Sequence, residues 1–368
     1  MYNNGMSATL KAMIRIALGI ICYWGGLVHL LRRYHKDKLI ILSFHRIDTK
    51  LDSFDMCIRP DTFRRYLRYL RRYYHFTSLS YYVRRLKSGK PPMEFSVVLT
   101  FDDGYASMYQ KVFPLLKRYD IPATVFVVGD WLENGRFAWW DQVENAFRAK
   151  MTRGSSQSDQ ASSFPSWRTA CRRFAELVNC LPVSEREKKI EALKQQVGKI
   201  ELNDAPELIN EDMAREMVQH QVELGNHTYS HAALVAERPE IQRLELERCE
   251  AVLSRTCRRD FKAFVYPYGF PCQKTRDLES LLMELGFDCA LTNVFGFNGP
   301  DSNPYQLKRY APGEEPLVVF ASELAGVFDI LRRLGAWLPS RQPLTPLGKI
   351  CLRCSHAIRQ QHPIHAPK

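Results

Sequence analysis

Short apolar runs recur along this chain, each ending in polar residues, with amphipathic stretches between them. Residues 39–44, 97–101, 123–128, 261–266, 289–293 and 306–310 carry the pattern, and a shorter run begins at Val222. Runs of this length predict strands buried on both faces, as in a parallel sheet flanked by helices. Residues 63–74 follow Pro60 and Asp61 and predict an amphipathic helix with a basic face. Residues 105–119 and 274–285 predict further helices. Strand and helix alternate, so the fold class predicted is α/β on a parallel sheet, closed or open.

The alternation breaks after 123–128. Trp139-Trp-Asp141 opens a helical pattern to Lys150, 154–163 is a polar linker, and 167–196 predicts a charged helix. Residues 139–205 therefore predict a helical insertion, of the kind that shapes a substrate cleft. Trp139 and Trp140 are candidates for stacking on ligand rings or for core packing. Near the C-terminal side, Phe320, Leu324, Val327, Phe328, Leu331, Leu334 and Leu338 fall at helical spacing, with Arg332 and Arg333 opposite. Such a helix either seals the body or lies on a membrane. Beyond Pro339 the tail is basic and proline-bearing, and loose order is expected there.

Residues 16–31 contain no Lys, Arg, Asp or Glu and include Ile20, Ile21, Trp24, Leu27, Leu30 and Leu31. A helix over them spans roughly 24 Å, short of the ~30 Å of a hydrocarbon core. No small-x-small site precedes the arginines that follow, which disfavours a cleaved signal peptide. Residues 1–38 predict membrane association, as a marginal span or an in-plane anchor, with a buried helix of the soluble fold as the alternative. Arg32, Arg33, Lys36 and Lys38 after the run outweigh Lys11 and Arg15 before it, which predicts the cytoplasmic face. Export with an uncleaved anchor is the alternative.

Charge sharpens this picture. The formal net charge is +12, but residues 1–90 carry 18 Lys/Arg against 5 Asp, and 330–368 carry 7 basic residues and no acids. The middle is therefore net −8. The basic ends adjoin apolar segments and no nucleic-acid motif accompanies them, so a membrane surface is the expected partner and nucleic acid is not. The ten cysteines form no small disulfide framework, and Cys351-Leu-Arg-Cys354 is an isolated CxxC in the tail.

Candidate chemistry gathers at the ends of the apolar runs. Val97-Val-Leu-Thr-Phe-Asp-Asp-Gly104 ends in adjacent carboxylates, Asp102 and Asp103, before a glycine that permits a sharp exit. Two neighbouring carboxylates repel unless a cation or a shared proton separates their roles; a solvated Asp-Gly turn is the alternative. His227 and His231 are four apart, which one helical turn would bring to a common face. Two imidazoles and one carboxylate oxygen suit a catalytic metal site with an open position. In Tyr266-Pro-Tyr-Gly269, Pro267 and Gly269 would let the Tyr268 backbone N–H face a developing oxyanion. His45, directly after the 39–44 run, is a candidate for the same cavity, or else a core or surface histidine.

Thr100-Phe-Asp-Asp-Gly104, His227-Thr-Tyr-Ser-His231 and Tyr266-Pro-Tyr-Gly269, in this order, resemble the polysaccharide deacetylase family, the NodB-homology or carbohydrate esterase 4 group. The resemblance covers roughly residues 39–310. It implies an irregular (β/α)7 barrel at 39–315, carrying the 139–205 insertion, with basic appendages at 1–38 and 316–368. It also implies one divalent metal, expected to be zinc, held by Asp103, His227 and His231, with Asp102 as general base. The family's late Leu-x-His has no histidine here, where Leu307-Lys-Arg309 stands. His45 resembles the group that replaces it in a circularly permuted branch, a Tyr-His-Arg before the Asp-Asp strand.

Two further departures are visible. Val265 or Tyr266 stands where the family has an arginine, leaving the group that orients the base unidentified, and a late Asp-Trp pairing is not evident. The implied reaction is metal-assisted removal of acyl groups, acetyl above all, from N-acylated amino sugars of a glycan or lipid-linked saccharide. Asp102 would take a water proton, the Tyr268 N–H would hold the oxyanion, and His45 would protonate the leaving amine. The alternatives are a deformylase or deacylase of a small lipid-linked amino sugar, and an inactive glycan-binding barrel.

Overall fold

The computed structural model describes residues 8–50, 52–154, 164–198, 205–269 and 275–333. Two helices, α1 (Ala8–Trp24) and α2 (Leu27–Tyr34), precede the first strand, β1 (Ile40–Phe44). The two-residue strands β2 (Arg46–Ile47) and β3 (Cys57–Ile58) pair with each other beside the main sheet. Then come α3 (Pro60–Tyr73), β4 (His75–Phe76), α4 (Leu79–Lys87) and β5 (Ser96–Phe101). A π turn at Met108–Val112 leads into α5 (Phe113–Tyr119), and β6 (Ala123–Val127) follows.

Between β6 and β7 (Val222–Asn226) the chain is helical: α6 (Gly129–Asn134), α7 (Trp139–Gly154), α8 (Phe164–Val178), α9 (Val183–Val197) and α10 (Glu211–Val218). The closing elements are α11 (Pro239–Thr256), β8 (Ala263–Val265), α12 (Thr275–Glu284), β9 (Cys289–Leu291), α13 (Leu317–Leu324) and α14 (Val327–Arg333).

The main sheet is parallel, in the order β1-β5-β6-β7-β8-β9, with β4 beside the start of β5. β1, β5 and β6 are buried at every position, as strands covered on both faces must be. The sheet curls until its ends meet. Leu42 bridges Tyr310 and Leu291 bridges Leu307, both parallel, so the 307–310 segment closes the seam between β9 and β1. The last strand expected at 306–310 is thus two isolated bridges, because the segment meets each neighbour at a single residue. The curled parallel sheet with its seam closed has the irregular (β/α) barrel form that the motifs imply.

Other differences have local causes. The helix expected over 167–196 is two, α8 and α9, broken at Asn179–Pro182, where Pro182 cannot donate to the helix ladder. The helix expected from Phe320 onward breaks at Ala325 and Gly326, and Val319, Phe320, Leu324, Val327 and Phe328 are buried against the body. Leu334, Leu338, Cys351 and Cys354 lie outside the described residues, as does most of the 154–163 linker. The apolar run at 16–31 is bent by 77° between α1 and α2. Among the described residues, no single helix is long and apolar enough to cross a membrane.

Candidate active site

In-register parallel pairing brings the chemistry to one end of the barrel. Phe44 pairs with Phe101 and Val127 with Asn226, so His45, Asp102 and His227 each leave their strand at the same rim. The backbone there is forced. Among the described residues, eight non-glycines have positive φ, and four of them are Asp103, Thr228, His231 and Tyr268. Conformations this costly persist where the surroundings over-determine them, commonly at functional sites. Gly104, at φ 75°, takes the same left-handed region next to Asp103, and a Cβ on it would press on Val127 and Ile209.

Asp103 is buried, and its Oδ1 lies 3.4 Å from His227 Nε2 and 3.5 Å from His231 Nε2. The two histidines do not share a helical turn. They sit in an irregular turn after β7, held by Asn226 Oδ1 accepting from the Thr228 N–H (2.8 Å) and Thr228 Oγ1 accepting from the Ala232 N–H (2.9 Å). The spacing of four works here through positive φ at Thr228 and His231 instead of helical rise. Trp131, Trp140 and Tyr268 surround the His231 ring, with centroids 5.8, 4.8 and 4.8 Å away.

These three side chains fit a metal ion. His227 Nδ1 donates to the Val265 carbonyl (3.0 Å), which fixes the ring and turns Nε2 toward Asp103. Neither oxygen of the buried Asp103 carboxylate has a hydrogen-bond partner. Burial drives the His231 pKa down to about 4, with the nearby His227 adding to it, so this ring is neutral at neutral pH. Burial would raise the Asp103 pKa, but the two imidazoles and His45 offset it and hold the carboxyl well below the usual range. An ionised carboxylate buried beside two imidazoles, with no hydrogen-bond partner of its own, is a surrounding that a cation would neutralise. Their ligand atoms lie within 4.8 Å of one another, and one oxygen with two nitrogens is a donor set that zinc and similar ions accept.

Asp102 is held differently, by a residue that the motifs do not reveal. Arg309 donates to both of its oxygens, Nη1 to Oδ1 and Nη2 to Oδ2, each at 2.8 Å. All five guanidinium N–H groups have acceptors: Nη1 also reaches Thr100 Oγ1 (3.2 Å), Nη2 reaches Asn293 Oδ1 (2.6 Å), and Nε reaches the Thr292 carbonyl (2.9 Å). Arg309 and Asn293 are thus the site residues that sequence reasoning passes over. The available signal is alternation: Arg309 shares the period-two face of the buried Leu307, while Lys308 between them is exposed. Burial would raise the Asp102 pKa, but Arg309 outweighs it, with help from His45 and His227, and the carboxyl titrates below its ordinary value. Ser43 Oγ also donates to Asp102 Oδ2 (3.3 Å).

His45 lies at the edge of this group, its Nε2 3.8 Å from Asp102 Oδ2 and its side chain 16% exposed. Tyr268 stands on the opposite side of His231, its hydroxyl donating to the His231 carbonyl (3.4 Å). Trp139 and Trp140 are both buried, Trp140 donating to the Tyr105 hydroxyl (2.7 Å) and Trp139 facing Tyr268 Oη (3.3 Å), so neither ring is free to stack on a sugar. A cleft of about 790 Å³ lies behind these tryptophans, lined by Trp131, Trp139, Arg186, Lys194 and Glu245 among others. None of Asp102, Asp103, His45, His227 and His231 lines it.

The profile of the family described as Polysaccharide deacetylase matches residues 89–159 and 184–290. Poly-beta-1,6-N-acetyl-D-glucosamine N-deacetylase of Escherichia coli (strain K12) is 31% identical over 136 residues, covering 32% of this chain and 20% of the relative. This chain therefore matches about a fifth of that relative's length. Among solved structures, the Streptococcus pyogenes deacetylase PplD in complex with acetate superposes with a TM-score of 0.51 at 19% identity, covering 75% of this chain and 92% of that one. IcaB from Ammonifex degensii gives 0.50 at 19%, covering 78% and 97%. The gap between the two matched segments falls within the inserted helices, so both belong to one interrupted barrel, and the chain is a member of the polysaccharide deacetylase family, with its NodB-homology fold.

Proposed function

We propose that this chain is a metal-dependent hydrolase that removes acetyl groups from N-acetylated amino sugars of a glycan. The β-1,6-linked N-acetylglucosamine polymer after which its Escherichia coli relative is named is the first substrate to test. One observation carries the reading: a buried, unpartnered carboxylate facing two imidazole nitrogens, beside a second carboxylate locked by Arg309. In this reading Asp103, His227 and His231 hold a divalent ion of the zinc class. When bound, such an ion polarises the acyl carbonyl and lowers the pKa of a water toward neutrality.

The chain's own residues supply the rest. Asp102, kept ionised by Arg309, accepts the water proton as general base. Bidentate pairing fixes its plane; Oδ2 accepts a second bond from Ser43, and Oδ1 keeps a further lone pair for that proton. The Tyr268 backbone N–H, on a residue held at φ 62°, stabilises the negative charge that develops on the acyl oxygen. His45, at the partly exposed edge, donates the proton that the amine needs in order to leave.

The test is acetate release from poly-N-acetylglucosamine oligosaccharides by the purified chain. Activity is expected to vanish with a chelator and return with added zinc or another divalent ion. Asp102→Asn is expected to cut kcat by about 10²–10⁴-fold while metal content, read by elemental analysis, stays at the wild-type level. Formate in place of acetate would redirect the reading to a deformylase. Glycan binding without hydrolysis under every divalent metal would overturn it.

A further inference from the structure

α1 is amphipathic in the reverse sense for a soluble protein. Leu10, Met13, Ile20, Ile21 and Trp24 are exposed, Ile21 by 65% and Trp24 by 78%, and their spacing places them on one stripe. Arg15, on the same helix, points inward, is buried, pairs with Glu323 of α13 and lies over the Phe328 ring (4.7 Å). A surface helix ordinarily buries its apolar stripe and shows its charges to water. The apolar surface continues past the bend through Leu27, Leu30 (64%) and Tyr34 (78%) of α2. Thirteen large hydrophobic side chains are exposed among the described residues, and eight of them are these. A single contiguous concentration of that kind marks an interaction surface.

We infer that this surface lies in the interfacial plane of an anionic lipid bilayer, as a monotopic anchor. Charge selects the occupant. α3 presents Arg64, Arg65, Arg68, Arg71 and Arg72 outward, against a single acid, Asp61, which pairs with Arg64. The end of α3 adjoins the apolar surface: Arg32 of α2 lies over the Tyr73 ring (4.3 Å), and His29 packs on the same ring (5.9 Å). An apolar stripe bordered by arginines matches acyl chains bordered by anionic headgroups. A second copy of the chain would bring one cationic border near another, which opposes self-association.

Docking on the barrel decides between lying in the plane and spanning. The inner face of α1 packs along α13, and at Gly19 the helices approach so closely that a Cβ would sit 3.3 Å from the Val318 carbonyl. α13 is part of the body, with Phe320 stacked on Tyr66 (3.9 Å) and close to Tyr310. α1 cannot leave this seat for the bilayer interior without carrying Arg15 away from Glu323. From Leu10 to Trp24 the stripe extends roughly 21 Å along the protein surface before the chain turns by 77° into α2.

Flotation of the full chain on vesicles tests the assignment. Phosphatidylcholine vesicles containing about a third phosphatidylglycerol are expected to carry it several-fold better than pure phosphatidylcholine, with partial loss at high salt. Ile21→Glu combined with Trp24→Glu is expected to lower partitioning on the order of a hundredfold, with the melting temperature unchanged because both side chains already face outward. Arg68→Glu with Arg72→Glu is expected to remove the phosphatidylglycerol preference and keep weaker apolar binding. Brominated lipids are expected to quench Trp24 fluorescence at shallow depth, an effect absent in Trp24→Phe. Three results would each overturn the inference: no flotation on phosphatidylglycerol vesicles; quenching deepest at the bilayer centre; or a dimer that Ile21→Glu and Trp24→Glu dissolve, with no vesicle binding.

Discussion

Asp102 and Arg309 form a buried two-pronged ion pair, and the pair sets the protonation state of the proposed base. Both are buried, so removing the guanidinium leaves a carboxylate with no compensating charge. Arg309→Met is expected to destabilise the fold by about 3–5 kcal/mol in urea unfolding, and Arg309→Lys by less, since lysine restores the charge without the two-pronged geometry. The pH dependence follows from the sign of the shift. A carboxyl titrating below its unfolded value contributes stability above that value and loses it as pH falls through the folded one. Activity should track the ionised base, so Arg309→Met is expected to move the acidic limb of the kcat/KM profile to higher pH. A drop in kcat of about 10–100-fold with an unmoved limb would make Arg309 a structural residue only. Asp102, Asp103, His227 and His231 were visible in the sequence because each falls in a short motif at the end of an apolar run. Arg309 was not, because the motif slot for it is filled by Val265 or Tyr266. Its contact with Asp102 exists only through closure of the seam, where Tyr310 bridges Leu42.

Among the elements, the strands were legible and the turns were not. Unbroken apolar runs identify β1, β5 and β6 because nothing in them faces water. Helical spacing of His227 and His231 suggested a helix, but left-handed Thr228 and His231 produce the same juxtaposition in a turn, and no periodicity reports φ. α7 carries the further case of Asp141, buried at the helix start, accepting from the Tyr105 hydroxyl (3.0 Å). Burial raises its pKa well above the ordinary range, and Asp52 and Glu144 add to that against Tyr105 and Arg46. A carboxyl raised in the folded state binds its proton more tightly there, so stability falls as pH climbs from the unfolded value near 4 toward the folded one. Asparagine keeps the acceptor and has no proton to lose. Asp141→Asn is therefore expected to melt close to wild type at pH 5 and higher at pH 8, by about 1 kcal/mol or roughly 2–4 °C. A larger gain at pH 5 than at pH 8 would show that the charge is not what Asp141 costs the fold.

At the scale of the whole molecule, the barrel is closed at its seam by residues 307–310 and covered by α13, and α1 rides on that cover. The uneven charge along the chain was legible as two basic ends around an acidic middle. It could not show that Arg15 turns inward, because the fate of one cation depends on a partner 308 positions away. The Arg15–Glu323 pair is buried on both sides and is the polar fastening of α1 to the body. Buried pairs contribute less than their appearance suggests, yet breaking one leaves an uncompensated charge. Glu323→Gln is expected to cost about 3–5 kcal/mol, or, where α1 detaches first, only the energy of its docking. The two outcomes separate by limited proteolysis: detachment exposes bonds within 8–24 while urea unfolding of the barrel stays at the wild-type midpoint. Replacing both partners, Arg15→Met with Glu323→Leu, is expected to return stability to within about 1 kcal/mol and to restore protection of α1. Failure of the double variant to recover would mean that the charge pair specifies the seat of α1 as well as neutralising it, and the anchoring face would then depend on it for its orientation.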